Sequence, residues 1–186
     1  MDGIDAALLR FADRHVEIAA TLNHPYPEDL RRQLFAVSRN TDAAPNTITV
    51  DTLGELNTWT GECFRDAGLA LLSQAHVDAG DVCAIGSHGQ TIRHRPDAKH
   101  RFTLQIGDPA IIAIGTTIDT VADFRLGDMA LGGEGAPLAP AFHEWLFQDP
   151  SVDRVVLNIG GIANITVLPA SGNGVTGFDT GPGNTL

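Results

Sequence analysis

Two β-branched runs, Arg154 to Ile159 and Ala163 to Leu168, meet at Gly160-Gly161, and Val175 to Phe178 supplies a third run downstream. A two-glycine junction between such runs predicts an antiparallel hairpin, here extended to a β-meander. Upstream, Leu53, Leu56, Cys63, Phe64, Ala67 and Leu71 fall on one helical stripe. That spacing predicts a long helix from Thr52, with Gly54, Gly61 and Gly68 as its weak points. A chain that needs both a meander and a long amphipathic helix is neither a helical bundle nor a closed β-barrel. The predicted class is α/β with a mixed sheet.

The remaining elements fit that class. Ile4 to Ala12 and Val16 to Leu22 predict two adjacent strands around Asp13-Arg14-His15, with a helix open as the alternative for the first. Pro27, Glu28 and Asp29 open a helix bearing Leu30, Leu34 and Val37, its carboxylates at the positive end. Arg39 to Asn46 reads as a loop. Val82 to Ile85 predicts a buried parallel strand, Thr103 to Ile106 another strand, and Ile118 to Phe124 a third. Asp108-Pro109 supplies an N-cap and a first-turn proline for a short helix through Ile114. Gly127 to Pro140 reads as a glycine-rich loop and the best candidate for a domain boundary. A helix carrying Phe142, Trp145, Leu146 and Phe147 follows, stopped by Pro150.

Charge narrows the partners. Among 186 residues, 12 Lys plus Arg stand against 23 Asp plus Glu, a formal net charge of −11. Affinity for nucleic acid comes mostly from cations that displace counterions, so DNA and RNA are not expected partners. A small phosphorylated ligand stays open, because backbone N–H groups hold phosphates without a basic surface. Cys63 and Cys83 lack CxxC spacing, and no secretory apolar region follows the acidic start, which predicts a cytoplasmic protein with reduced thiols. The apolar stretch Ala110 to Ile114 is interrupted by Gly115 and Thr116, so no membrane span is expected.

Three polar stretches end apolar strands: Gly86-Ser87-His88-Gly89-Gln90-Thr91, Asp123-Phe124-Arg125, and Asp179-Thr180-Gly181-Pro182-Gly183-Asn184. Loops converge on ligands at strand ends in α/β sheets. Asp179, on a rigid strand end, either serves as a general base or closes an Asx-turn into Thr180-Gly181. His88 either contacts a sugar hydroxyl or phosphate, strengthened by Gln90 and Thr91, or bonds within its own turn. Arg125 either turns its fork toward an oxygen-rich substrate, oriented by Asp123, or pairs with an internal carboxylate. Asn164 follows the hairpin glycines, which either bring it to a ligand or merely make the turn. The evenly spaced His88, His94 and His100 do not share a helical face and lack a carboxylate, which argues against zinc. The basic run Arg93 to Arg101 reads as a solvated loop or an anion site. Gly132-Gly133-Glu134-Gly135 lacks the Gly-Lys-Ser/Thr of a Walker loop, and no GxGxxG opens a helix after a strand.

Taken in order, GSHGQT (86–91), LQIGDPAIIA (104–113), VADFR (121–125), GGEGAPLAPAFH (132–143), NIGGIANIT (158–166) and FDTGPGN (178–184) closely resemble the anhydro-N-acetylmuramic acid kinase family. The likeness runs through the whole chain and is weakest between Leu22 and Asp51. It implies the two-lobed fold of sugar kinases, actin and the heat-shock chaperone ATPases, with residues 1–139 as an N-terminal lobe and 140–186 as the incomplete beginning of a second. It also implies an ATP- and Mg²⁺-dependent enzyme of peptidoglycan recycling, homodimeric at full length, that opens the anhydro bridge with water and yields N-acetylmuramic acid 6-phosphate. Asp179 is then the catalytic base, sharing one cleft with His88 and Arg125. His88, Gln90, Thr91, Asp123, Arg125 and Asn164 are the sugar contacts. The family's phosphate loop reads Gly-Thr-Ser-x-Asp-Gly; here Met1-Asp2-Gly3 corresponds to its end, so Asp2 and Gly3 fall on the ATP-phosphate side and Asp2 on the metal side. The family continues past FDTGPGN, and the chain is therefore expected to be an inactive truncated half. The alternatives are a non-catalytic sugar-binding domain and a kinase for another amino sugar.

Overall fold

The computed structural model describes residues 3–13, 15–39 and 48–184. They divide between two compact units, Met1–Arg10 with Glu17–Gly132, and Phe11–Val16 with Gly133–Leu186. Asp2 and the loop expected beyond Arg39 lie outside the described residues.

Strands β1 (Ile4–Ala12) and β2 (His15–His24) pair as a two-stranded sheet, with Asp13 in the left-handed region at the turn (φ 51°). The helix alternative for the first segment is not adopted. Helix α1 (Glu28–Ser38) follows Pro27 with Glu28 and Asp29 in its first turn, and it buries Leu30, Leu34 and Val37, spaced at i, i+4 and i+7. Helix α2 (Val50–Ala75) is capped by Thr49, whose hydroxyl oxygen accepts the Thr52 N–H at 3.0 Å. It buries Leu56, Cys63, Ala67 and Leu71, the stripe its spacing predicts. The core gathers Tyr26, Leu30, Leu34, Leu56, Cys63, Ile92 and Ile106. Each fully buried leucine contributes about 1.5–3 kcal/mol relative to exposure, so α1 and α2 are held by packing more than by propensity.

The first unit is completed by β3 (Ile85–Gly86), β4 (Gln90–Arg95), β5 (Phe102–Ile106), α3 (Pro109–Thr116), β6 (Thr120–Val121) and α4 (Phe124–Ala130). Asp108 caps α3 by accepting the Ala110 N–H at 2.9 Å, with Pro109 in the first turn. β3 pairs with β6 in parallel, and β4 with β5 antiparallel.

Several expectations are corrected here. The predicted buried strand Val82–Ile85 shrinks to Ile85–Gly86, and Cys83 and Ala84 are exposed, because the pair β3–β6 has no further strand on either side among the described residues. The predicted strand Ile118–Phe124 retains only Thr120–Val121, since Asp123 adopts a left-handed backbone (φ 59°) and turns the chain into α4. That helix includes Gly127, which was expected in a loop; one glycine costs a helix only about 1 kcal/mol. Arg93, His94 and Arg95 belong to β4 rather than to a solvated loop, drawn into the ladder because neighbouring Ile92 enters the core. The sheet is not continuous: the described strands form four small sheets.

The second unit contains α5 (Ala139–Phe147), β7 (Arg154–Ile159), β8 (Ile162–Leu168) and β9 (Thr176–Pro182). The three strands form an antiparallel meander in the order β7-β8-β9, as the hairpin pattern predicts. Helix α5 packs on β8 and β9, over the buried Thr166 and Leu168. A His143 ring nitrogen lies 2.9 Å from the Thr166 hydroxyl. Gly177 is required where β9 passes under the helix, since a Cβ there would stand 2.5 Å from Pro140.

Candidate functional site

A pocket of about 190 Å³ opens in the first unit, lined by Ser87, His88 and Gly89, by Gln105 to Gly107, and by Asn57, Pro109, Ala122 and Asp123. Its walls come from four places: the turn between β3 and β4, the end of β5 with the turn into α3, the end of β6, and Asn57 on α2. The first three are strand ends, where backbone polar groups leave the ladder and can face a ligand.

Close packing on α2 sets the β5–α3 turn. The Asn57 side-chain oxygen accepts the Gly107 N–H at 2.8 Å, and its backbone carbonyl accepts the Asp108 N–H at 3.2 Å. Gly61, one turn along, lets the turn approach: a Cβ there would lie 2.9 Å from the Asp108 nitrogen. Gly107 itself has φ 115°, and a Cβ would stand 2.6 Å from the Phe64 ring. Gly89, at φ 74°, meets the Gln105 side chain and the Ile106 carbonyl in the same way. Left-handed backbone that favours glycine thus shapes two of the walls.

His88 and Arg125 come together. The Arg125 Nε–H donates to His88 Nε2 at 2.9 Å, and His88 Nδ1 lies 3.0 Å from the Gly89 carbonyl oxygen. Burial pulls the half-buried guanidinium below its ordinary range. Neither Asp123 nor any other carboxylate among the described residues pairs with Arg125, so the internal ion pair weighed from the sequence does not form. Asp123 lines the pocket instead, at the start of α4.

Gln90 and Thr91 lie in β4 and are not pocket walls. The Gln90 oxygen accepts the Tyr26 hydroxyl at 3.4 Å, and the Thr91 hydroxyl accepts from the Gln105 amide at 3.2 Å, so Thr91 supports a residue that does line the pocket. Gly3 packs closely against the end of β2, where a Cβ would stand 2.9 Å from the His24 carbonyl oxygen. Among the described residues, no three His, Cys, Asp or Glu side chains gather for a metal.

Asp179 and Asn164 belong to the second unit. They are cross-strand partners on β9 and β8, and Asn164 is also the partner of Asn158 on β7. Directly paired residues share a face, so Asn158, Asn164 and Asp179 form a polar row across the meander. The register slips between Ala163 and Asn164, leaving Thr180 as an extra residue whose hydroxyl donates to the Ala163 carbonyl at 3.1 Å. A bulge of this kind re-aims the side chains beside it. Asp179 sits within β9, and its carboxylate makes no Asx-turn bond to Thr180 or Gly181.

Asn57, Gln105 and Asn158 did not stand out in the sequence. Asn57 and Gln105 sit inside predicted regular elements, where a polar residue is ordinarily the solvent side. Asn158 was legible only in hindsight, from its mirror position to Asn164 about Gly160-Gly161.

A mixed α/β chain with a glycine-shaped polar pocket at strand ends is consistent with a sugar kinase-like domain. The family profile described as anhydro-N-acetylmuramic acid kinase matches residues 1–186. This chain belongs to that family. It is 54% identical over 187 residues to the anhydro-N-acetylmuramic acid kinase of Coxiella burnetii (strain Dugway 5J108-111), with all of this chain and 48% of the relative covered. It is 53% identical to the corresponding protein of Vibrio vulnificus (strain YJ016) and 50% to that of Shewanella frigidimarina (strain NCIMB 400), covering the whole chain and 49% of each. The chain spans about half the length of these relatives. Among the described residues no helix is long and apolar enough to cross a membrane.

Proposed function

We propose that these residues form the sugar-binding portion of an ATP-dependent kinase that acts on anhydro-N-acetylmuramic acid in peptidoglycan recycling. The observation that carries the proposal is the pocket in which Ser87, His88, Gly89 and Asp123 meet, with Arg125 bonded to His88 beside them. Its 190 Å³ accommodates part of a ligand, below the roughly 300–1,000 Å³ of whole small-molecule sites.

In this proposal the two units correspond to an N-terminal lobe and the beginning of a second lobe of the actin-like fold, and Asp179 is the catalytic base. Asp179 takes a proton from water as the water oxygen bonds to the anomeric carbon. The anhydro C–O bond breaks, and the released oxygen takes the phosphoryl group of ATP. Asn164, paired with Asp179, and Asp123 and Arg125 are the proposed sugar contacts. ATP would supply the phosphoryl group and leave as ADP, Mg²⁺ would neutralise charge on the transferring group, and Asp2 and Gly3 are this chain's proposed share of that side. The 186 residues by themselves are proposed to lack turnover, since phosphoryl transfer depends on positioning and charge stabilisation from both sides of the transferring group.

Equilibrium binding of anhydro-N-acetylmuramic acid to the purified chain tests the sugar assignment. Asp123→Ala and Arg125→Ala each weaken binding at least about tenfold, the scale of a lost charge-assisted hydrogen bond. Unchanged affinity in both variants contradicts the assignment of this pocket, and equal affinity for an unrelated amino sugar points to a different kinase specificity.

A further inference from the structure

The two bonds made by His88 determine where its proton is. The Arg125 Nε–H is an obligatory donor, so His88 Nε2, 2.9 Å away, accepts and carries no hydrogen. The Gly89 carbonyl is an obligatory acceptor, so His88 Nδ1, 3.0 Å from its oxygen, carries the hydrogen. Only the neutral Nδ1–H tautomer satisfies both partners at once. Both ring nitrogens are then engaged within the protein, which leaves neither for a sugar hydroxyl or for proton transfer.

Arg125 shows the complementary pattern. It is half-buried on α4, and among the described residues its Nε is bonded to His88 while its two terminal amino groups have no protein partner. A guanidinium held through Nε cannot swing about its stem, and its outer edge presents a planar pair of donors suited to a carboxylate or phosphate.

We infer that His88 is a positioning residue: in its neutral Nδ1–H form it holds Arg125 by Nε so that the outer edge of the guanidinium is presented to an anionic oxygen pair of the ligand. This rests on the proposed sugar-binding role of the pocket only for the identity of the ligand. Glycine at position 89 belongs to the same device. Its left-handed backbone (φ 74°) turns its own carbonyl back to the imidazole of the preceding residue, a geometry that side chains other than glycine adopt at a cost.

The substitutions separate the two ring nitrogens. In His88→Gln the side-chain oxygen reaches the place of Nε2 and still accepts from Arg125, whereas in His88→Asn it reaches only the place of Nδ1. Nitrogen-15 NMR of the labelled chain reads the tautomer of His88 and the Arg125 Nε–H signal directly. The wild type is expected to show a protonated Nδ1, an unprotonated Nε2 and a distinct, slowly exchanging Arg125 Nε–H. That signal persists in His88→Gln and merges with the free arginines in His88→Asn and His88→Ala. An Nε2–H tautomer in the wild type, or an Arg125 signal untouched in His88→Asn, overturns the inference. Affinity for anhydro-N-acetylmuramic acid is measured on the same samples. Loss of about tenfold in His88→Asn with recovery to within about threefold in His88→Gln supports the presentation of Arg125 to that ligand. Equal affinity in the wild type and His88→Asn, where the sugar binds, overturns that presentation. The expected NMR pattern with no sugar bound to any form overturns the sugar assignment while leaving the His88–Arg125 device in place.

Discussion

Thr60 is fully buried on α2, and among the described residues its hydroxyl has no hydrogen-bond partner. An unpaired buried hydroxyl carries its desolvation cost without return, so Thr60→Val, which keeps the shape, is expected to raise stability by about 1 kcal/mol in denaturant unfolding. Tyr26 is the single tyrosine of the chain. Burial, with the neighbouring Cys63 adding to it, pushes its phenol far above the ordinary value of about 10. The folded protein keeps the phenol neutral while the unfolded chain ionises near its ordinary value. This contribution to stability is therefore complete below pH ~10 and is lost as the pH climbs toward the folded-state pKa. Tyrosinate absorbance, reporting this one group, is expected to appear only well above pH ~10 and together with unfolding; normal titration with the fold intact would contradict the burial.

Among the elements, those with long periodic patterns were legible and those made by single contacts were not. The stripe on α2, the Asp108-Pro109 start of α3 and the meander around Gly160-Gly161 each rest on several residues that agree. The strands β3 and β6 are two residues each, and Asp123 ends the second by a backbone conformation that composition does not announce. The pocket was half legible for the same reason. His88 and Asp123 lie in polar stretches that mark strand ends, while Asn57 enters only because Gly61 and Gly107 let the β5–α3 turn sit against α2. That packing gives a sharp expectation for Gly107→Ala. Both the left-handed backbone and the contact with Phe64 oppose a methyl group, and a loss of roughly 1–3 kcal/mol is expected, with lower sugar affinity as the wall shifts. Thermal unfolding and sugar titration of this variant check the two effects together; wild-type behaviour in both would show that the turn tolerates displacement.

At the scale of the whole molecule, the second unit leaves much apolar surface uncovered: Val155, Leu157 and Ile159 on β7 and Ile162 on β8 are each more than half exposed. β7 is also an edge strand of its sheet. An exposed apolar edge invites pairing with another chain, so the purified 186 residues are expected to self-associate in sedimentation, and Val155→Lys with Leu157→Lys to reduce it. A strictly monomeric wild type at high concentration would contradict this.

Asp179 is proposed as the base of a kinase acting on anhydro-N-acetylmuramic acid. The most direct measurement places this 186-residue stretch in the Vibrio vulnificus relative, in exchange for its own matching half, and follows N-acetylmuramic acid 6-phosphate with ATP and Mg²⁺. Sustained turnover is predicted for the exchanged protein and none for the 186 residues alone. Asp179→Asn is predicted to lower kcat by about 10²–10⁴-fold, the contribution of a positioned general base, while sugar affinity stays within a few-fold. Turnover by Asp179→Asn close to that of the unsubstituted protein would contradict it.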